Sequence, residues 1–341
     1  DTKIASIVGP SDIDSDENHI YSELGFYYTQ QGQAELLERS VLTNNGKRMT
    51  GDSLFYDRNR GIGEAFQNVE FVDTISKNML TGDYCFYNQL TGYAFATDKA
   101  VATDFSQGDS LFIHADTLQL YTFHVNTDSV YREARAYHKV RFYRTDIQGV
   151  CDSLVFSSKD SCLTLYQDPI LWNGKQQLLG EEIMVYMNDS TIDWAHIQNQ
   201  ALSVEQLDSL NYNQVSGKDM KAYFEGGEMK QVDVDGSVRL VYFPMEKDST
   251  LLGMNCSETS KLSMFLENRK LKKMAMSPKS NGTLYPMTQI PPAKMKLDNF
   301  AWFDYVRPLN KADIFNWRGK GAGQELKKST RGAAPLPNQK L

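Results

Sequence analysis

The residues with the most chemical promise are the tetrapeptide Gly51-Asp52-Ser53-Leu54 and the later run Asp193-Trp194-Ala195-His196. Serine, aspartate and histidine are the parts of a nucleophilic triad, and the two runs spell the signature blocks of GDSL-type esterases in the right chain order. The surrounding sequence argues against that chemistry. Asp-Ser-Leu recurs at Asp109, Asp152 and Asp208, and the related stretch at Gly82 places Tyr84 where the nucleophile would stand. A nucleophilic serine also needs a strand-to-helix elbow, and no βαβ pattern surrounds Ser53.

A second set, Asp52, Asp83, Asp116 and Asp152, has the residue type of the paired carboxylates that do acid–base work in polysaccharide hydrolases and lyases. These acids fall once per copy of a repeated unit, as structural turn residues do, so no catalytic residue is assigned. His19, His114, His124, His138 and His196 form no His-x-His or HExxH pair, and neither a metal site nor a cofactor is expected. Cys85, Cys151, Cys162 and Cys256 lack CxxC spacing, which sets aside zinc and thioredoxin-type chemistry. A disulfide stays open, and Cys85 reads as a small buried hydrophobe. The acids Asp12, Asp14, Asp16 and Glu17 lack the glycine and terminal glutamate of an EF-hand and read as a solvated loop.

The elements that carry these residues repeat. Thr50–Asp73 runs from Thr-Gly-Asp through an alternating apolar strand and a glycine turn to a second apolar strand, and Thr81–Asp104 follows the same plan. Further heads stand at Ala115-Asp116, Cys151-Asp152, Gly180-Glu181, Gly217-Lys218 and Thr259-Ser260, with a degenerate first copy over Ile20–Thr43. Two and four residues beyond each head come Leu54/Tyr56, Cys85/Tyr87, Leu118/Leu120, Leu154/Phe156, Ile183/Val185, Met220/Ala222 and Leu262/Met264. Period two puts such residues on one face of a sheet, and with Phe224 they make one apolar face. The head glycines are expected to supply φ > 0 at a corner, with the head aspartates capping it. AELLERSVL from Ala34 reads as strand or short helix, and the Ser-x-x-Gln capping box at Ser203 allows a helical turn. One hairpin cannot bury such a face alone, whereas stacked copies can.

Composition supports β structure, with 18 Tyr and 17 Phe in 341 residues. Net charge is −7, and the basic excess is confined to a tail from Arg318, so the acidic body argues against nucleic acid as a partner. The longest apolar runs fall short of the roughly 18 residues of a membrane helix. The start at Asp1 is read as a mature, exported form with its signal peptide removed. Four segments are expected: a polar 1–19, a repeated body over 20–277, a Pro-rich and aromatic extension over 278–317 that docks, and a basic, mobile tail over 318–341.

The serial pattern TGDSLFY, turn, GxAxxxNVxFxD, then LTGDYCFY and later GKDMKAYFEGGEMKQVDVDGSVRLVYF resembles the OstA-like family over most of 20–277. The likeness is to LptA-type periplasmic proteins of lipopolysaccharide transport and to the soluble N-terminal domain of LptD. The family's usual glycine before Asn-Val is Gln67 here. The resemblance implies an all-β, elongated jellyroll or taco-like stack of antiparallel strands with an open apolar groove. It implies no catalysis, and lipid A acyl chains sheltered along Leu54, Tyr56, Tyr87, Leu118, Leu120, Leu154, Phe156, Ile183, Val185, Met220, Phe224, Leu262 and Met264. Implied partners are lipopolysaccharide, other jellyroll proteins of the bridge between inner and outer membrane, and a head-to-tail homo-oligomer formed by strand pairing. From periodicity alone, a structural or adhesive β-solenoid with a closed core remains the alternative.

Overall fold

A computed structural model describes residues 3–321, apart from 15–17, 45, 107, 126, 189–190, 247, 249 and 269. Asp16, Glu17 and the tail from 322 lie outside the described residues. The described residues form 23 antiparallel β-strands and four short 3-10 turns. AELLERSVL lies in a strand, Gln33–Asn44, and Ser203 lies in a strand, Ala201–Gln206, with both faces buried at Ala201, Leu202, Ser203 and Val204. Neither is helical, because pairing with neighbouring strands outweighs a local capping signal. The chain divides into two compact units. Of the described residues, the first comprises 3–175, Met184–Asp193 and Phe303–Arg318, and the second comprises Gln176–Ile183, Trp194–Trp302 and 319–321.

In the first unit β1 (Ile4–Asp14), β2 (Asn18–Tyr28), β3 (Gln33–Asn44), β4 (Lys47–Asp57), β5 (Ile62–Asp73) and β6 (Asn78–Asn88) pair in succession. Beyond β6 several strands are broken in two. β7 (Tyr93–Thr97) and β8 (Val101–Asp104) both pair with β6, and β9 (Leu111–His114) and β10 (Thr117–Phe123) both pair with β11 (Tyr131–Tyr143). β12 (Gln148–Ser157) likewise takes β13 (Cys162–Tyr166) and β14 (Ile170–Asn173). The break falls at one level in every strand, where unbroken strands carry a bulge instead, as between Thr50 and Ser53 or Phe66 and Val69.

That level is a corner. Each return strand crosses it on two residues, and Gln67-Asn68 (φ 53 and 50), Asp98-Lys99 (56 and 61) and Gln167-Asp168 (61 and 62) are left-handed at both. Such paired residues divert the chain, so each strand has a first arm and a second arm. The glycine heads of the unit lie in the opposing strand, outside the left-handed region, which corrects the expected role of Gly51 and Gly82. They serve close approach instead: a Cβ on Gly82 would sit 3.1 Å from the carbonyl oxygen of Thr97. Across the unit the corner column is Ser22, Ser40, Gly51, Val69, Gly82, Ala100, Ala115, Val140 and Cys151, small or β-branched and buried throughout.

The head acids do not cap through their own backbone either. Asp52 accepts from Asn68 Nδ2 at 2.9 Å, Asp83 from Lys99 Nζ at 2.8 Å and Asp116 from Lys139 Nζ at 3.2 Å. Each acid thus ties its strand to the left-handed residue beside it. Turn glycines do need φ > 0 at the hairpin tips, as at Gly61 (φ 63), where Asp57 holds the turn through the Arg60 amide at 3.0 Å.

In the second unit the long strands β21 (Glu228–Tyr242), β22 (Gly253–Glu267) and β23 (Lys270–Pro286) bend at the same kind of corner, beside β20 (Asp219–Glu225). The C-terminal extension docks on first-arm outer faces. In the second unit Ile290, Met295 and Leu297 cover Val241, Phe243 and Met254. In the first unit the segment 303–318 packs Phe315 on His114, with ring centres 4.7 Å apart, and the buried Arg141 guanidinium donates to the Ile314 carbonyl. Arg307 donates to Gln148 Oε1 at 2.8 Å, which ties the segment to β12, and within the segment Arg318 donates to Asp313 Oδ2 at 2.8 Å.

Candidate binding trough

The apolar face predicted from the heads is one wall of a trough. In the second arm of the first unit, cross-strand partners form an unbroken row: Leu36, Leu54, Ala65, Cys85, Ala96, Leu118, Ala136, Leu154 and Leu165. None is more than 9% exposed. From β4 to β12 larger residues on outgoing strands alternate with alanines on return strands, Leu54, Cys85, Leu118 and Leu154 against Ala65, Ala96 and Ala136. Burial pushes the Cys85 thiol up to about 11, and all four cysteines are free.

The next row outward is Ala34, Tyr56, Gly63, Tyr87, Ala94, Leu120, Ala134, Phe156 and Leu163. It repeats the large–small alternation but is not covered: Tyr56 is 43% and Tyr87 44% exposed, with Leu120 and Phe156 half-buried. The face closes at the corner and opens away from it. Of the predicted lining residues, Leu54, Leu118 and Leu154 form the floor, and Tyr56, Tyr87, Leu120 and Phe156 the mouth.

The first arm supplies a wall that counting forward from the heads missed. Its row is Ile20, Leu42, Met49, Phe71, Leu80, Ala102, Ile113, Phe142, Gly149 and Leu171. The signal is the same period two followed backward across the corner, where Met49, Leu80 and Ile113 stand three residues before Asp52, Asp83 and Asp116. Gly149 is the gap that admits the Phe142 ring, since a Cβ there would fall 2.2 Å from its Cζ. Beyond this row the edge turns polar with Lys47, Asp73, Asn78 and Asp104; Asp73 is spent on the Ile75 and Ser76 amides at 3.0 and 2.9 Å.

In the second unit Ile197, Met220, Val234 and Leu262 form the floor, each at most 2% exposed, and lead to half-buried Met276. Ala222, Val232, Met264 and Met274 make the second row. A cavity of about 410 Å³ separates the arms, with Leu240, Tyr242, Asn255 and Leu284 on one side and Leu271, Lys272, Lys273 and Met274 on the other. Phe224 is half-buried opposite Met229, while Ile183 is fully buried and Val185 is 8% exposed.

No triad is assembled. Ser53 lies on the outer face of β4 opposite Phe66, and the His196 ring is held by Gln198 at 3.2 Å and Asp219 at 3.6 Å. Burial lowers the pKa of His196. In the acidic N-terminal stretch Asp12 and Asp14 hold His19 at 3.3 and 2.7 Å. Among the described residues no group of three or more potential ligands could hold a metal ion.

No curated protein matches the chain. A family model does match, over the part of the first unit in which heads, corner pairs and wall rows are most regular. The stretch 13–107 is similar to the family model described as OstA-like protein.

Proposed function

We propose that the trough shelters the acyl chains of lipid A, and that the protein is a non-enzymatic carrier of lipopolysaccharide in the periplasm. The observation that carries this reading is the graded apolar wall, with a buried floor at Leu54–Leu118–Leu154 and an exposed mouth at Tyr56 and Tyr87. A structural core would be finished where it is covered, whereas this one continues as apolar surface into the open.

The energetics suit the cargo. At about 0.8 kcal/mol per methylene, a chain of about a dozen carbons leaves water with a gain on the order of 10 kcal/mol, so a continuous apolar cover is needed for several chains. Lys272 and Lys273 beside the cavity of the second unit fit the negative charge of a lipid A head group. The likeness of 13–107 to OstA-like proteins supports a transport and binding role. Among the described residues no helix is long and apolar enough to cross a membrane.

Strand edges supply the bridging partner. Among the described residues β1 pairs only with β2, and β23 only with β22. Unpaired edges recruit strands, so a jellyroll of like build, or a second copy, extends sheet and trough together. Lysines at 270, 272, 273 and 279 on β23 and acids at 12 and 14 on β1 favour head-to-tail over like-to-like pairing.

Solvent extraction of the purified protein followed by mass spectrometry, with photo-crosslinking from position 156, tests the carrier. Lipid A in the extract and a crosslink to it are expected. A lipid-free protein that gives no crosslink when lipopolysaccharide is added would leave the closed structural solenoid as the reading.

A further inference from the structure

The second arm of the first unit has an outer face that the trough does not use. A ribbon of aromatic rings crosses it from β5 to β11: Phe66 lies 5.1 Å from Tyr84, and Tyr84 lies 5.5 Å from Phe95. The ribbon continues through Tyr93 and Tyr121, 4.9 Å apart, to Tyr131. Five neighbouring strands contribute, so its length is about 20 Å at about 4.8 Å per strand. Phe66 is 39% exposed and the other rings are half-buried; they meet tilted at Phe66–Tyr84, edge-on at Tyr84–Phe95 and stacked at Phe123–Tyr131, and at the β10–β11 end the Arg135 guanidinium lies over Tyr121 and the Lys159 ammonium over Tyr131.

Acids are set among the rings. Along one cross-strand row Glu35, Phe55, Glu64 and Phe86 alternate. Glu64 accepts the Tyr84 hydroxyl at 2.6 Å and Glu35 that of Tyr28 at 3.4 Å, which leaves most of each carboxylate's accepting capacity for a ligand. A depression of about 310 Å³ lies between Glu35, Phe55, Glu64 and Phe66, at the lower end of volumes that hold small ligands.

We propose that this face binds a neutral polysaccharide, separate from the cargo of the trough on the other side of the sheet. A pyranose presents a C–H face of weak positive potential, which suits the negative face of a ring, and a rim of hydroxyl donors, which suits carboxylates between rings. A protein docked flat on the ribbon would bury Glu35 and Glu64, and burying a carboxylate without donors is costly. An anionic glycan is repelled by the same two groups. The interleaving of rings with acceptors therefore selects a chain rich in O–H donors and poor in charge.

Affinity electrophoresis in native gels containing dextran, mannan or soluble starch, with titration calorimetry using maltohexaose and cellohexaose, tests the assignment. Retardation of the wild type by at least one polymer is expected, with a loss of tenfold or more in Phe66→Ala and a clear loss in Glu64→Gln. Both side chains are at the surface, so their melting curves should match the wild type. The triple variant Phe66→Ala/Tyr84→Ala/Phe95→Ala should run unretarded. No retardation of the wild type by any polymer would overturn the proposal, as would retardation unchanged in Phe66→Ala. Binding of oligolysine in place of the neutral glycans, abolished by Glu64→Gln, would assign the face to a cationic partner and overturn it equally.

Discussion

Alanine substitution of the head glycines separates close approach from backbone conformation as the reason for glycine. In the second unit a Cβ on Gly180 would lie 2.5 Å from Ile197 Cγ2 and 3.2 Å from the Gln198 carbonyl oxygen. On Gly217 it would lie 2.5 Å from Val234 Cγ1 and 3.1 Å from the Asp235 carbonyl oxygen. Ile197 and Val234 are 1% exposed and cannot swing aside. Apolar carbons rest at about 3.5–4.0 Å, so each methyl overlaps by about 1 Å, and overpacking of this kind costs about 1–3 kcal/mol. In the first unit Gly82 meets only the Thr97 carbonyl oxygen at 3.1 Å, and Gly51 meets Leu54 Cδ2 at 3.2 Å, the end of a flexible side chain. Gly82→Ala should cost about 1 kcal/mol or less, and Gly51→Ala should be near neutral, because loss of unfolded-chain entropy returns about 0.4–1 kcal/mol. Ala115 already occupies the column with its side chain fully buried. Urea unfolding with unchanged slope, compared within each unit, measures the series. Equal costs at Gly51 and Gly180 would mean that backbone conformation sets the requirement, and the account of the corner would be wrong.

Three further outcomes are expected. His114 lies beneath Phe315, and burial, with the Arg141 charge adding to it, holds its pKa below the ordinary 6.5. A depressed histidine favours the folded state fully above about pH 6.5 and loses that contribution as pH falls toward the folded pKa, so docking of 303–318, followed by Trp317 fluorescence, should weaken below pH 6.5 and less so in His114→Gln. Burial and, second, the hydrogen bond to Glu64 push the Tyr84 hydroxyl up to about 12. An ultraviolet alkaline titration should therefore show Glu64→Gln lowering one late tyrosine step, and an unchanged curve would contradict the 2.6 Å contact. Iodoacetamide should label half-buried Cys256 before Cys85, Cys151 and Cys162, which should react only in urea; mass spectrometry of early digests decides it.

Much of the second arm was legible because period two is written into every copy: Leu54, Leu118, Leu154, Met220 and Leu262 fall where the heads place them. The corner was misread because a glycine looks the same in sequence whether it serves positive φ or close approach. The residues that do take positive φ, Gln67-Asn68 or Asp98-Lys99, are ordinary polar pairs with no distinctive spelling. The second wall was missed for a different reason. Met49, Phe71 and Ile113 belong to short first-arm segments whose period is interrupted at the corner, so a count started at the head stops one side short. Ser203 and Val204 are both buried, and a strand covered on two faces shows no alternation to set against a capping box.

The corner pairs have a consequence for how such a chain can change length. Crossings such as Gln67-Asn68, Asp98-Lys99 and Gln167-Asp168 are made by two left-handed residues on one strand beside a small or β-branched residue on the next, and the head acids there bond no further than the adjacent strand. Duplication or loss of one outgoing-and-return segment of about thirty residues would preserve every remaining face, in the range of ordinary repeat arrays. A single-residue insertion inside an arm would turn the rest of that arm inside out, carrying rings into the trough and leucines to water. Lineages related to this chain should therefore differ by whole hairpins and by tip length, and seldom by odd numbers of residues between tip and corner.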